Sequence, residues 1–538
     1  MKRQLVLGLD FGTLSARAVL VSVQDGSVVS ESEFMYPHGV ISDRLESGRS
    51  LPEEYALADA RDYRQALEHC VSQAVRGQDT ARLIGIGISA TTYTMVPCAE
   101  NGAVLSERKA FRDEPMAYIK LWKHHGAKRQ ADQIMACHRD RGMFAVTERY
   151  GGAVNCEWAL PKLLETWETA PGVFEAAARF CDLGEWIAWL LTGRPVNSIY
   201  SLGFKGMWAP DLGFPSREEL DALGQGFAEA YGRKFAGTPA GFERACGCLS
   251  REAAKWLGLP AGIPVATPLG DGRCPGVYYC SRYPDAIAIT FGTSVAMAFV
   301  SDRLRPVKGI NGVVRDGILP GCYGYDAGQP CAGDMLDWFV QRQLPREYGE
   351  QADRAGVSAH AYLSRLAAEG QPWENRIRVL DWFNGNRSIL NNQALRGVVA
   401  GCSLQTRPEE IYCGMIQGLA CGTRKILEYL AENGLPFEKV ILCGGIAEKN
   451  PFVLEQIASL LGREILHSTQ RQVTAKSAAI LGAAASGIPL ETAARAMAAE
   501  KLTPVQPDAE HRKEYERIYS SWERLHNLLA DYYLEEAT

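Results

Sequence analysis

Asp10, Gly12, Thr13, Ser15 and Arg17 fall within one short stretch of a chain of 538 residues. One carboxylate, one glycine, two hydroxyls and one guanidinium are the types that serve a bound polyphosphate. A glycine in a tight turn lets backbone N–H groups approach a phosphate, with Thr13 and Ser15 as added donors. Asp10 suits a Mg²⁺ ion held through water, and Arg17 suits charge neutralisation. The flanking runs Leu5–Leu9 and Ala18–Val23 are apolar and β-branched. They predict two strands, with the chemistry-bearing residues in the hairpin turn between them. Asp25-Gly26 is a second turn signal, and Val28–Phe34 reads as a third antiparallel strand. Taken alone, Phe-Gly-Thr in a hairpin is more often only a turn.

A second copy changes that reading. Residues 286–299, AIAITFGTSVAMAF, repeat strand, Phe-Gly-Thr, hydroxyl and strand at Phe291, Gly292, Thr293 and Ser294, an offset of 280 residues. A repeat at about half the chain length predicts two related lobes, each offering a phosphate hairpin to a shared cleft. That pattern resembles the superfamily of actin, Hsp70 and the sugar kinases.

Other residues could serve the same cleft. The strand opening the second half delivers Asp271 between Gly270 and Gly272, where a general base for phosphoryl transfer would stand; a turn-forming aspartate is the alternative. The buried strand Leu83–Ile88 leads into Ser89, Thr91, Thr92 and Thr94, a hydroxyl-rich loop suited to a polyol or simply a polar connection. Trp122 is a candidate sugar-stacking platform, with core filling as the plainer reading. Lys205, between Phe204 and Trp208, suits a hydroxyl- or phosphate-rich ligand, or is a surface lysine. Gly444-Gly445 after the strand Val440–Cys443 would admit a flat base and ribose, and Asn450-Pro451 starts the next helix. The small-residue helix 475–485 would allow the close packing such a nucleotide site needs. Two loops, 322–334 and 380–396, are rich in glycine, asparagine, arginine and acids beyond the needs of a connector.

The elements that must position these residues follow from periodicity and capping signals. Helices are expected over 62–76, 250–257 and 408–430, the last with Thr406 as N-cap and Asn433-Gly434 as stop. The punctuated segment Pro260–Pro264 marks the lobe boundary, giving a first lobe of 1–262 and a second of 263–500. Tyr515, Ile518, Tyr519, Trp522, Leu525, Leu529 and Tyr532 lie at helical spacing, so 501–538 is expected to be a helical tail docked on a lobe. A net charge of −6 gives no footing for nucleic acid or an anionic membrane, and no run reaches the length of a membrane span. A strand beginning at residue 5 argues against a leader peptide. Fifteen scattered cysteines without metal-ligand spacing are expected to be reduced core-filling thiols in a cytoplasmic protein.

With these motifs placed, the sequence resembles the FGGY family of carbohydrate kinases, most of all its L-ribulose kinase branch. The resemblance runs from about Leu5 to Ala499 in unbroken order. Its general motifs are GLDFGT at Gly8–Thr13, GD at Gly270-Asp271, FGTS at Phe291–Ser294 and CGGIAEKN at Cys443–Asn450. The branch motifs are LWKHH at Leu121–His125, GGAVNCEW at Gly151–Trp158, FKGMW at Phe204–Trp208, DAGQPCAGD at Asp326–Asp334 and LDWFNGNRS at Leu380–Ser388. The resemblance implies an α/β fold of two actin-like, ribonuclease H-like lobes with the active site in the cleft between them. It implies transfer of the ATP γ-phosphoryl group, with Mg²⁺, to a ketopentose, L-ribulose first, as in L-arabinose catabolism. Asp271 then matches the catalytic base, Asp10 a Mg²⁺ contact, and Asp10, Gly12, Thr13, Ser15 and Arg17 the first phosphate turn. Gly292, Thr293 and Ser294 match the second turn, and Gly444, Gly445 and Asn450 the adenosine motif. Thr92, Trp122, Lys205, Asp271 and Asp326 match the sugar side. The resemblance also suggests a homodimer.

Asp326 stands where that branch carries Glu, Ser89 where it carries Asp, Thr92 where it carries Ala or Gly, and His124 where it often carries Asp. These departures lie on the sugar side and leave the phosphate and base positions intact. An actin- or Hsp70-like ATPase would share the hairpins but not the five branch motifs, and a sugar-binding pseudo-kinase would not need both Asp10 and Asp271.

Overall fold

The computed structural model describes residues 3–242 and 244–536. Seven strands build its first sheet: β1 (Leu5–Phe11), β2 (Ser15–Ser22), β3 (Val28–Met35), β4 (Leu83–Ala90), β5 (Ala245–Cys248), β6 (Pro264–Ala266) and β7 (Leu269–Gly270). Seven more build the second: β8 (Ala286–Phe291), β9 (Val295–Ser301), β10 (Gly312–Arg315), β11 (Tyr323–Gln329), β12 (Lys439–Cys443), β13 (Ile465–His467) and β14 (Thr503–Val505).

The first sheet runs β5-β6-β4-β1-β2-β3, with β7 also on β4; the second runs β10-β11-β9-β8-β12-β13-β14. In both, a hairpin of two antiparallel strands is extended by a third antiparallel strand on one side. On the other side the hairpin's first strand pairs parallel with a strand arriving from a crossover. The repeat seen in the sequence is therefore a repeat of topology as well as of motif, and each FGT lies at the turn of its sheet's founding hairpin.

Residues 264–270, expected in the second lobe, hydrogen-bond instead into the first sheet, Val265 opposite Ile86 and Gly270 opposite Ala90. The Pro- and Gly-rich segment before them is only the turn that delivers two short strands to the open edge of β4. A second exchange occurs near the C-terminus. The helix Val473–Ala485 packs across β4 and β1 of the first sheet and shares a core with Ile441 and Cys443 of β12 in the second. Its small residues fit opposite strand glycines: a Cβ on Gly8 would sit 2.0 Å from the Ala475 carbonyl, and one on Gly87 1.6 Å from that of Ala478. Backbone here meets backbone, so neither side can retreat by a rotamer change. Gly87→Ala is expected to destabilise at or above the upper end of the ~1–3 kcal/mol range for overpacking, read as a fall in Tm or in the urea midpoint.

The helix expected over 62–76 spans Ala60–Ala74, capped by the Asp59 side chain, and buries Tyr63, Ala66, Leu67, Cys70 and Val71 as periodicity requires. The long helix Pro408–Glu432 starts one residue later than Thr406 would place it. Arg407 is its N-cap, and Glu410 reaches back to accept from the Arg407 N–H at 2.7 Å. Proline at the first helical position leaves no room for Thr406 to cap, and its hydroxyl accepts from the Ser403 N–H instead. The tail helix Arg512–Glu536 docks on the second lobe's helices and the strand Arg378–Leu380, with the Trp522 indole donating to the Val379 carbonyl at 2.8 Å. Tyr532, expected on its apolar face, is half exposed, because the docked face ends near Ala530. The fifteen cysteines are free thiols, and no helix is long and apolar enough to cross a membrane among the described residues.

Candidate active site

Register across the first sheet brings the first set of residues into one row. Asp10 on β1 faces Arg17 on β2 and Ser89 on β4; Arg17 faces Glu33 on β3; Ser89 faces Leu269 on β7. Because β7 ends at Gly270, Asp271 emerges at the same carboxyl edge as Asp10. The two carboxylates feel each other: burial and the Asp271 charge push the Asp10 carboxyl up to about 7, against the pull of Arg17 and Ser89. The Oδ1 atom of Asp10 is buried without a hydrogen-bond partner. Burial likewise raises the Asp271 carboxyl, opposed by the Gly272 amide (2.7 Å to Oδ1) and by the charges of Arg273 and Lys205.

Arg17, expected on a phosphate, pairs with Glu33 at 2.8 Å, and the Ser15 hydroxyl donates to the same carboxylate at 3.1 Å. Both thus contact the neighbouring strand β3. The Thr13 hydroxyl accepts from the Trp122 indole at 3.0 Å. The turn glycines close their own turns: the Gly12 N–H donates to the Ser15 carbonyl (2.9 Å) and the Gly292 N–H to that of Ser294 (3.0 Å). Neither has a positive φ. The first turn is one residue longer, since Phe11 pairs with Ala16 but Phe291 with Val295. A Cβ at Gly292 would meet nothing closer than 3.9 Å. Gly292→Val is thus expected to fold normally while its branches intrude on the cleft, raising the KM for ATP about tenfold and leaving the sugar KM within twofold in an ADP-coupled assay. A change confined to the sugar KM would place this turn away from the nucleotide.

The second hairpin is locked to the DAGQPCAGD segment. The Thr293 carbonyl accepts from the Ala332 N–H (2.9 Å) and the Gly292 carbonyl from that of Gly333 (3.0 Å), at the start of the helix Gly333–Arg342. Gly444 meets the hairpin from the far side. Its φ is +102°, and a Cβ there would lie 2.4 Å from the Phe291 carbonyl, so only glycine allows this approach. Gly445 is exposed beside it and opens the short helix Gly445–Lys449. Asn450 caps the following helix and donates to Ser364 Oγ at 2.7 Å.

The residues expected on the sugar side lie near Asp271, whose carboxyl feels the charges of Arg273 and Lys205. Lys205, at the end of the helix Ile199–Lys205, lies 3.6 Å from Glu157, which also receives His125 at 3.2 Å. Burial alone would raise the Glu157 carboxyl; the His125 contact and the charges of Lys205 and Arg387 outweigh it and hold it well below the carboxylate range. Asp326 is buried and ion-paired with Arg273, whose guanidinium also sits 5.0 Å from the centre of the Phe204 ring. The threonine loop is wired inward. Thr92 shares its hydroxyl with Tyr200 at 2.6 Å, Thr91 with Thr94 at 2.8 Å, and Thr94 accepts from the Trp122 N–H at 3.2 Å. Each of these hydroxyls carries at least one contact within the protein.

Sequence reading missed Glu157 and Arg273 as the charged partners of Lys205 and Asp326, and it missed the buried Lys162. The Lys162 ammonium is fully buried and donates to the carbonyls of Tyr93 (3.0 Å) and Leu121 (2.8 Å), with Trp122 O at 3.4 Å. Burial pulls it down to about 7, helped by the Lys205 charge. His124 points away from the cleft onto Glu165 at 3.1 Å, and burial pushes it down to about 4. Arg273 was within reach, as a cation two residues beyond the candidate base. A lysine in the middle of an amphipathic helix carries no such signal.

Residues 287–486 match the model of the C-terminal domain of the FGGY family of carbohydrate kinases. The ribulokinase of Mycolicibacterium smegmatis is 36% identical over 97% of this chain and 93% of its own. That of Anoxybacillus flavithermus is 34% identical over 98% and 95%. The chain belongs to the FGGY family of carbohydrate kinases. The fold agrees: the xylulose kinase of Rhodospirillum rubrum, at 20% identity, superimposes with a TM-score of 0.79 over 98% of this chain and 99% of its own. Membership makes this chain an ATP-dependent sugar kinase, an enzyme of phosphoryl transfer to a carbohydrate hydroxyl.

Proposed function

We propose that the protein is an ATP-dependent kinase of a ketopentose, with L-ribulose as the preferred acceptor, and that Asp271 is its general base. Relatives named ribulokinase at 31–36% identity over almost the whole chain support the acceptor class. The observation that carries the site assignment is the meeting of Asp10 and Asp271 at one sheet edge, beside a hairpin turn and a cluster of paired charges. That cluster pairs Lys205 with Glu157 and Arg273 with Asp326, next to Asp271. Balanced charge suits a neutral sugar better than a sugar acid.

In this reading the sugar hydroxyl lies against Asp271, aligned by it and giving up its proton late, as the O–P bond forms. Lys205 and Arg273 donate to the remaining sugar oxygens, with Asp326 orienting Arg273. Trp122, fixed through Thr13 and Thr94, forms the apolar wall. Gly12, Thr13, Gly292, Thr293 and Ser294 border the triphosphate, and Gly444, Gly445 and Asn450 the adenosine. Mg²⁺, when bound, would neutralise phosphate charge. The orphaned Asp10 Oδ1 fits such an ion or its water. The cytosol, where ATP and free sugar meet, is the working compartment.

An ADP-coupled assay over pentuloses, alditols and gluconate tests this. The highest kcat/KM is expected for L-ribulose, with other pentuloses accepted more weakly because Asp326 and Thr92 no longer reach the sugar directly. No stimulation of ADP release by any ketopentose would refute it.

A further inference from the structure

Two lysines, Lys120 and Lys162, are buried around the helix Ala159–Thr169, beside the segment that carries Trp122. The Lys120 ammonium is paired there, donating to Glu165 Oε2 (2.6 Å), Thr166 Oγ1 (2.7 Å) and the Lys162 carbonyl (3.1 Å). Lys162 is served differently. Among the described residues its ammonium hydrogen-bonds only to main-chain carbonyls, those of Tyr93, Leu121 and Trp122 at 3.0, 2.8 and 3.4 Å. A buried cation without a carboxylate against it is costly, and methionine would fill the same space without that cost. What the ammonium supplies is three donors for three acceptors on two separate loops.

Tyr93 lies in the threonine loop after β4. Its φ of 58° is a left-handed backbone that a tyrosine keeps only where its surroundings over-determine it. The same loop is tied to the end of β1, the Thr91 N–H donating to the Phe11 carbonyl at 3.0 Å. Half-buried Trp122 has each of its polar groups engaged: the main-chain N–H on Thr94 Oγ1 at 3.2 Å, the carbonyl on Lys162, and the indole on the Thr13 hydroxyl at 3.0 Å. We infer that Lys162 is a positioning residue of the sugar site: its ammonium locks the threonine loop to Leu121 and Trp122 and so sets the place of the Trp122 ring. This rests on the reading of Trp122 as the apolar wall of that site. A ring packed on the C–H face of a sugar acts only at van der Waals contact, and a gap of about 0.5–1 Å forfeits a quarter to a half of the attraction. The hairpin turn that carries Thr13 closes through its own Gly12–Ser15 bond, so the effect falls on the sugar and spares ATP.

The test uses the full-length protein with Lys162→Met, Lys162→Gln, Trp122→Ala and the double variant Lys162→Met with Trp122→Ala, measuring Tm and the KM for the best sugar and for ATP in an ADP-coupled assay. Lys162→Met removes the donors at nearly constant volume. It is expected to raise the sugar KM about tenfold and to leave the ATP KM within about threefold. Lys162→Gln keeps two N–H donors on a side chain one bond shorter and should recover part of the loss. Trp122→Ala alone should raise the sugar KM about tenfold or more, and adding Lys162→Met should worsen it no more than about twofold, since no ring is left to misplace. A lysine that only supports the fold would multiply the two losses, or raise both KM values together, and either result overturns the inference. Should Lys162→Met fail to fold, Lys162→Gln takes its place, alone and in the double variant, under the same criteria. Trp122→Ala separates the inference from the reading beneath it. A raised sugar KM there, with one within twofold of wild type in folded Lys162→Met, overturns the inference and leaves the wall standing. A sugar KM within twofold of wild type in Trp122→Ala shows that Trp122 is no wall, and the inference falls with it.

Discussion

Asp271→Asn is expected to lower kcat for sugar phosphorylation by ~10²-fold or more while leaving the Kd for ADP within about threefold. The substitution keeps shape and one oxygen, so the Gly272 amide still finds its acceptor, but the side chain can no longer take a proton. The wild-type pH profile provides a second check. Burial raises the Asp271 carboxyl, with the Gly272 amide, Arg273 and Lys205 opposing it. The ionised form is the one that accepts a proton, so kcat/KM for the sugar should fall as pH drops through that raised value. The acid limb should be absent from whatever rate the Asn variant retains. A kcat within tenfold of wild type, or an acid limb surviving in Asp271→Asn, would show that another group takes the proton.

Much of this molecule could be read from its residues, and what escaped has physical reasons. The hairpins were legible because strand and turn chemistry are local: β-branched runs around a glycine-bearing turn. Their 280-residue repeat forecast two sheets of the same topology. What each turn residue does was less legible, because it depends on which strand lies next to it. Arg17 and Ser15 face Glu33 across β2 and β3, a register no single segment announces. The lobe boundary was misplaced because proline and glycine mark a turn without saying which sheet the next strand joins. The helix Val473–Ala485 looked like a packing helix and is one, but its partners are glycines some 390 to 470 residues earlier in the chain. The bond between Thr92 and Tyr200 spans 108 residues, a pairing that no local pattern announces. Buried charges such as Lys162 and Glu165 were the least legible, since their burial is a property of the assembled pocket.

Asp10→Asn should separate stability from activity. Burial, then the charge of Asp271, moves the Asp10 carboxyl from 3.8 to about 7. The folded protein therefore holds this proton more tightly than the unfolded chain does. As pH rises from about 4 to about 7 the unfolded carboxyl ionises first, and stability falls relative to a variant that does not titrate there. The displacement is worth on the order of 4 kcal/mol at its ceiling, since each pH unit corresponds to about 1.4 kcal/mol. Relaxation and water will reduce it, and in a chain of this size a few kcal/mol moves Tm by only a few degrees. At pH 8, with chelator and without nucleotide, Asp10→Asn is expected to melt about 1–3 °C higher than wild type, and the gain should vanish near pH 4. Phosphorylation should meanwhile fall ~10²-fold or more, because the carboxylate that would meet Mg²⁺ or its water is gone. Mg²⁺ with ADP should raise the wild-type Tm more than that of the variant, since ligand bound to the native state alone stabilises it. If Asp10→Asn melts below wild type at pH 8, the strained carboxylate is not there. If it melts higher but keeps its activity, Asp10 is a buried acid of the fold with no part in handling phosphate.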